Sequence, residues 1–170
     1  AKVNSGSQLI TWLDKSGNSN HVEQITTSQR PLIQSDKLVF DGTDYLSGGN
    51  ILSVGKESAW TVIVVGKTNN SSGNNSFLAK SRYGNYKNRY SILTEGGNLK
   101  SLYHDNAYNL ATLETNDTLD KIMILQVDRI NKTLKNFING NQKGSSLAIQ
   151  NNNTYDMVSS SNFLVGAYNT

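Results

Sequence analysis

No apolar block in this chain runs for more than a few residues, and each is stopped by a cluster of Gly, Asn, Ser or Asp. Blocks of that length suit β-strands of about four to eight residues, whereas an amphipathic helix needs a longer repeat. The spacing predicts strands over residues 8–13, 37–40, 60–65, 76–80, 90–94, 99–103, 121–127, 133–138 and 162–167, with a brief extension at Tyr45-Leu46. Residues 60–65 (Trp-Thr-Val-Ile-Val-Val) are nearly continuous in β-branched side chains, which predicts a central strand or one buried on both faces. Turn chemistry lies between the blocks. Asp14 to Asn20 is turn-forming throughout, Gly96-Gly97 suits a tight hairpin, and Asn139-Gly140 suits a type I′ turn. Residues 107–120 carry Leu110, Leu113 and Leu119, but Asn and Thr interrupt them, so at most a short turn is expected there. Eight or nine strands at this spacing mean an all-β, two-sheet antiparallel sandwich or a barrel.

A chain of 170 residues forms one domain with a sizeable core. The excess of small polar residues, 23 Asn and 20 Ser among them, excludes a coiled coil, and the recurring apolar blocks exclude a disordered chain. Net charge is only +3, so a nucleic-acid partner is not expected. The one basic and aromatic cluster, Lys80, Arg82, Lys87 and Arg89 with Tyr83, Tyr86 and Tyr90, reads as a solvated loop and strand edge. The absence of cysteine removes disulfides and thiolate chemistry together. No apolar run reaches the length of a membrane-spanning helix, so no membrane insertion is expected.

Three stretches, taken in order, resemble a known family. They are Trp12-Leu13-Asp14-Lys15-Ser16-Gly17-Asn18-Ser19-Asn20-His21 with Arg30-Pro31; Val39-Phe40-Asp41-Gly42-Thr43-Asp44-Tyr45-Leu46; and Val127-Asp128 through Asn139-Gly140, with Phe163-Leu164-Val165-Gly166-Ala167-Tyr168 after it. Together they resemble the concanavalin A-like, laminin-G-like jelly-roll domains of bacterial surface proteins and phage virion proteins. The resemblance implies a jelly roll of two packed antiparallel sheets over residues 1–170. Such domains usually close with a further strand after the last of these segments, and often carry another before the first. The resemblance therefore implies either a reduced version of the fold, lacking terminal strands, or a piece of a longer polypeptide, and the second is favoured because an open sheet edge invites aggregation.

Catalytic constellations are not evident. The E-x-D-x-E strand of glucan-hydrolysing relatives is absent, and no G-x-S-x-G elbow occurs. Glu114, Asp117 and Asp120 read as part of a turn-rich loop, and His104 beside Asp105 as a surface histidine. No enzyme activity and no cofactor are expected. Calcium is the one ion for which oxygen ligands exist, from Asp14, Asn18 and Asn20 or from Asp41 and Asp44, without an EF-hand pattern. Trp12 and Trp60 have strand neighbours and read as core.

The resemblance implies a non-catalytic carbohydrate-binding or adhesion module on an extracellular or virion surface. A phage head-decoration or tail-fibre domain, or a bacterial adhesin domain, fits it best. Its partners would be a glycan or cell-surface polysaccharide and the neighbouring virion or surface subunits. Sugar sites combine aromatic faces with planar polar groups, and the densest such mixture is Arg82, Tyr83, Tyr86, Asn88, Arg89 and Tyr90. Tyr103, His104, Asp105 and Tyr108 come next, placed beside it by a hairpin. The rival readings are a purely structural virion or surface-layer module and an accessory domain of a polysaccharide-degrading enzyme.

Overall fold

The structure is a computed structural model, and it describes residues 2–55, 58–68, 74–80, 89–104, 108–149 and 162–166. Among these the chain is built almost entirely of strand, with one short 3-10 turn at Thr27–Gln29. Fifteen strand segments form two antiparallel sheets. Their order along the chain is β1 (Lys2–Ser5), β2 (Gln8–Trp12), β3 (Val22–Glu23), β4 (Leu32–Gln34), β5 (Lys37–Val39), β6 (Leu46–Ser47), β7 (Ala59–Gly66) and β8 (Asn75–Lys80). The rest are β9 (Arg89–Glu95), β10 (Asn98–His104), β11 (Tyr108–Thr115), β12 (Lys121–Asp128), β13 (Thr133–Ile138), β14 (Asn141–Ala148) and β15 (Phe163–Val165).

The larger sheet runs β11-β10-β9-β8-β15-β6-β3-β2-β4-β5, with β1 also on β2; the smaller runs β14-β13-β12-β7. They pack face to face because their strands alternate. In β12, Lys121, Met123, Leu125 and Val127 are buried, while Ile122 and Gln126 face solvent. The main core joins Leu78, Tyr90, Ile92, Leu99 and Tyr103 of the larger sheet to Met123, Leu125, Val127, Leu134 and Ile138 of the smaller. Full burial of one such aliphatic side chain stabilises by about 1.5–3 kcal/mol. A second cluster, Leu9, Val22 and Leu46 with Ile33, Leu38, Phe40 and Ile51, takes no residue from the smaller sheet. A β-bulge interrupts the β1–β2 pairing, where Val3 faces Thr11 but Asn4 faces Leu9, so that Ile10 is the extra residue of β2.

Ion pairs tie the sheets together at one edge. Glu114 of β11 accepts from Lys121 of β12 at 3.0 Å and from Lys143 of β14 at 2.8 Å. Lys121 also reaches Asp117 at 2.6 Å. The two turns expected to be tight are so: Gly96 and Gly97 both have positive φ, as do Asn139 and Gly140.

Several expectations are corrected. Residues 108–115, read as irregular, form strand β11, whose leucines pack across β10 despite the intervening Asn and Thr. Its end carries Glu114, so that carboxylate belongs to a strand and not to a loop. Residues 60–65 are neither central nor buried on both faces. β7 is the last strand of the smaller sheet, and Ile63 and Val65 are 63% and 73% exposed. Polar β14 (Asn-Gln-Lys-Gly-Ser-Ser-Leu-Ala) is a strand that the sequence did not signal, because at this sheet edge only Leu147 packs on the core and one leucine makes no apolar period.

Candidate functional site

The two aromatic, Asn-rich stretches singled out in the sequence leave the larger sheet at one end. Lys80 closes β8 opposite Tyr90, Arg89 opens β9 opposite His104, and Tyr108 opens β11 opposite that same histidine. The strand ends that flank residues 81–88 and 105–107 therefore lie together at one end of the sheet. Arg82, Tyr83, Tyr86, Asn88 and Asp105 lie outside the described residues.

Four members of the expected site, Arg89, Tyr90, Tyr103 and His104, are buried. Tyr90 and Tyr103 face each other across β9 and β10 on the inner side, and both pack on Trp60 of the opposite sheet. The Trp60 ring lies 4.8 Å from Tyr90 and 6.1 Å from Tyr103, centre to centre, with planes tilted at 48° and 50°. The Tyr90 hydroxyl donates to the Leu52 carbonyl at 3.0 Å, and burial pushes its phenol above the ordinary value. These rings are packing elements between the sheets and are closed to a sugar, so they leave the site. Arg89 and His104 alternate with them on the opposite face of the sheet and are also buried, 7% and 6% exposed. Neither the solvated strand edge nor the surface histidine expected from sequence holds.

Lys80 departs furthest from its expected solvation. It is fully buried, and its Nζ donates to Asn50 Oδ1 at 2.7 Å. Burial lowers its pKa from 10.5 to about 8. The unfolded chain thus binds more protons than the folded one between those values, and stability must rise with pH across that window. Raising the pH from 7.5 to 9.5 should increase the melting temperature of the wild type. Lys80→Met should flatten that rise, and equal slopes in the two thermal-melt series would disprove the assignment.

The Asp14 loop is held by its own carboxylate. Asp14 accepts from the Ser16 amide at 2.8 Å, the Ser16 hydroxyl at 2.7 Å and the Asn20 amide at 3.0 Å, while its own amide donates to His21 Nδ1 at 2.9 Å. The Ser16 amide, then its hydroxyl, then the Asn20 amide hold this carboxyl down to about 2. Asp41 is used alike, accepting from Thr43 N, Thr43 Oγ1 and Asp44 N. Both carboxylates are spent on N–H and O–H donors that shape turns. Among the described residues no group of three or more His, Asp or Glu is placed to hold a metal ion.

No family model matches the chain, and no curated protein matches it in sequence. Among solved structures it is similar to the CBM40 of the Ruminococcus gnavus IT-sialidase. The form bound to α2,3-sialyllactose is 16% identical with a TM-score of 0.49, over 64% of this chain and 67% of that one. The CBM40 described without a ligand is 15% identical with a TM-score of 0.49, over 65% and 64%. The α2,6-sialyllactose form is 16% identical with a TM-score of 0.46, over 62% of each.

One aromatic side chain was misjudged in the other direction. Trp60 is core as expected, but Trp12 is 44% exposed, at the end of β2 beside the Asp14 loop. Its apolar strand neighbours gave no sign of this. Its exposure follows from the position of β2 in the larger sheet, under which no strand of the smaller sheet packs.

Proposed function

We propose that this domain is a non-catalytic carbohydrate-binding module displayed on an extracellular or virion surface, as in a phage head decoration, a tail fibre or a bacterial adhesin. The observation that carries the reading is the strand register, which brings the connections 81–88 and 105–107 to one end of the larger sheet. With Tyr90 and Tyr103 withdrawn into the core, the aromatic contacts fall to Tyr83, Tyr86 and Tyr108, with Arg82, Asn88 and Asp105 as polar partners. Tyrosine presents a large rigid face at low entropic cost and suits the apolar face of a sugar ring. The non-catalytic half of the reading is supported by the acidic residues. Glu114 and Asp117 are engaged by Lys121 and Lys143, and a glycosidase needs a free carboxylate pair across its substrate. The sheet's remaining surface would contact neighbouring subunits, whose symmetric copies multiply a weak single-site affinity.

A multivalent form of the domain on a glycan array, with α2,3- and α2,6-sialyllactose among the probes, tests this. Saturable binding should appear on a subset of glycans and fall by about tenfold or more in Tyr83→Ala and Tyr86→Ala. Binding that survives both changes while Trp12→Ala abolishes it would move the site to the Asp14 loop. No binding by the folded, multivalent protein would leave the structural module as the better reading.

A further inference from the structure

We propose that the domain forms a two-fold dimer in which the β7 strands of two copies pair edge to edge, joining the smaller sheets into one. β7 has a single strand partner among the described residues, β12. The Arg129 amide donates to the Ser58 carbonyl, which fixes the parity of the ladder. Antiparallel pairs exchange hydrogen bonds at every second residue, so Trp60, Val62, Val64 and Gly66 bond to β12. The amides and carbonyls of Thr61, Ile63 and Val65 then point out of the open edge. That edge has no Pro, no bulge and no charged residue from Ala59 to Gly66, and so lacks the usual devices against pairing.

The occupant that fits is a second copy. A two-fold axis through Ile63 pairs Ile63 with itself, Thr61 with Val65, Val62 with Val64 and Ala59 with Lys67, and makes about six main-chain hydrogen bonds from the central three pairs. Side chains keep their faces in this register. Exposed Ile63 meets its own copy and exposed Val65 meets Thr61, extending the apolar stripe already formed with Ile122 and Ile124. The charges also complement each other. Lys67 is exposed just beyond β7, and Asp128 lies opposite Ala59 on the outer face of β12. Pairing sets Lys67 of one copy beside Ala59 of the other, two strand spacings or about 10 Å from Asp128. The lysine can reach across the small Ala59 methyl to that carboxylate, and the two-fold makes this ion pair twice.

Sedimentation velocity of the 170-residue chain over a concentration series is the test, with circular dichroism confirming the fold of each variant. The wild type should approach twice the 18.7 kDa of one chain at tens of micromolar. Ile63→Lys, at a site open to solvent, should stay monomeric and keep the circular dichroism of a folded β-domain. Lys67→Glu, which sets like charges together outside the strand, should weaken dimerisation by about tenfold. A wild type that remains monomeric at a few hundred micromolar overturns the proposal. A dimer that neither substitution weakens overturns it too, since its interface would lie elsewhere.

Discussion

Trp60→Ala should destabilise the domain by about 3–5 kcal/mol, the range for truncating a packed aromatic in a core that cannot collapse around the cavity. The indole lies against two aromatic rings of the opposite sheet, Tyr90 at 4.8 Å and Tyr103 at 6.1 Å. Both tyrosines sit on rigid neighbouring strands, and the Tyr90 hydroxyl is anchored on the Leu52 carbonyl, so neither ring is free to swing into the void. Trp60→Phe keeps an aromatic face and should cost less than half as much. Its indole Nε1 is buried without a hydrogen-bond partner, so replacing it with a hydrocarbon removes a polar atom that gains nothing there. Urea unfolding of the three proteins checks this. Equal stability of wild type and Trp60→Ala would mean that the two sheets are not joined through this aromatic cluster.

Gly166→Ala should cost about 2–5 kcal/mol, from two causes that can be separated. Gly166 follows β15 with φ +85°, where an L-residue is strained by roughly 1–2 kcal/mol. A Cβ there would also run into the Phe40 ring, one of the side chains packed in the second cluster, and overpacking of this kind adds about 1–3 kcal/mol. In a double-mutant cycle with Phe40→Leu, the smaller side chain should relieve the collision and leave the backbone strain. The cost of Gly166→Ala should therefore fall by about half in the Phe40→Leu background. An unchanged cost would assign the whole effect to the backbone, and no cost in either background would contradict the close approach of Gly166 to Phe40.

The proposed site shows how the same tyrosines change meaning with register. In the sequence, Arg89-Tyr90 and Tyr103-His104 are aromatic and polar residues side by side, as a sugar site requires. In the fold, strand alternation sends Tyr90 and Tyr103 to the inner face and Arg89 and His104 to the other. The strand ends that flank the two connections lie side by side, because a short hairpin between β9 and β10 brings the far ends of those strands together. Lys80 follows the same logic: its parity with Leu78 puts it on the inner face, and no property of a Lys in a basic cluster announces that.

The class of fold, the positions of most strands, the tight turns at Gly96-Gly97 and Asn139-Gly140, and Trp60 as core were all legible in the residues alone. Each of these depends on local chemistry: the length of an apolar run, or the φ a turn demands. Tertiary structure alone decided which strands lie at an edge, which face of each strand is covered, and where one sheet outruns the other. Those choices exposed Ile63, Val65 and Trp12 and buried Lys80, Arg89 and His104. The physical reason is that burial is a property of what packs opposite a residue, and in a sandwich the opposing residues come from strands far away in the chain.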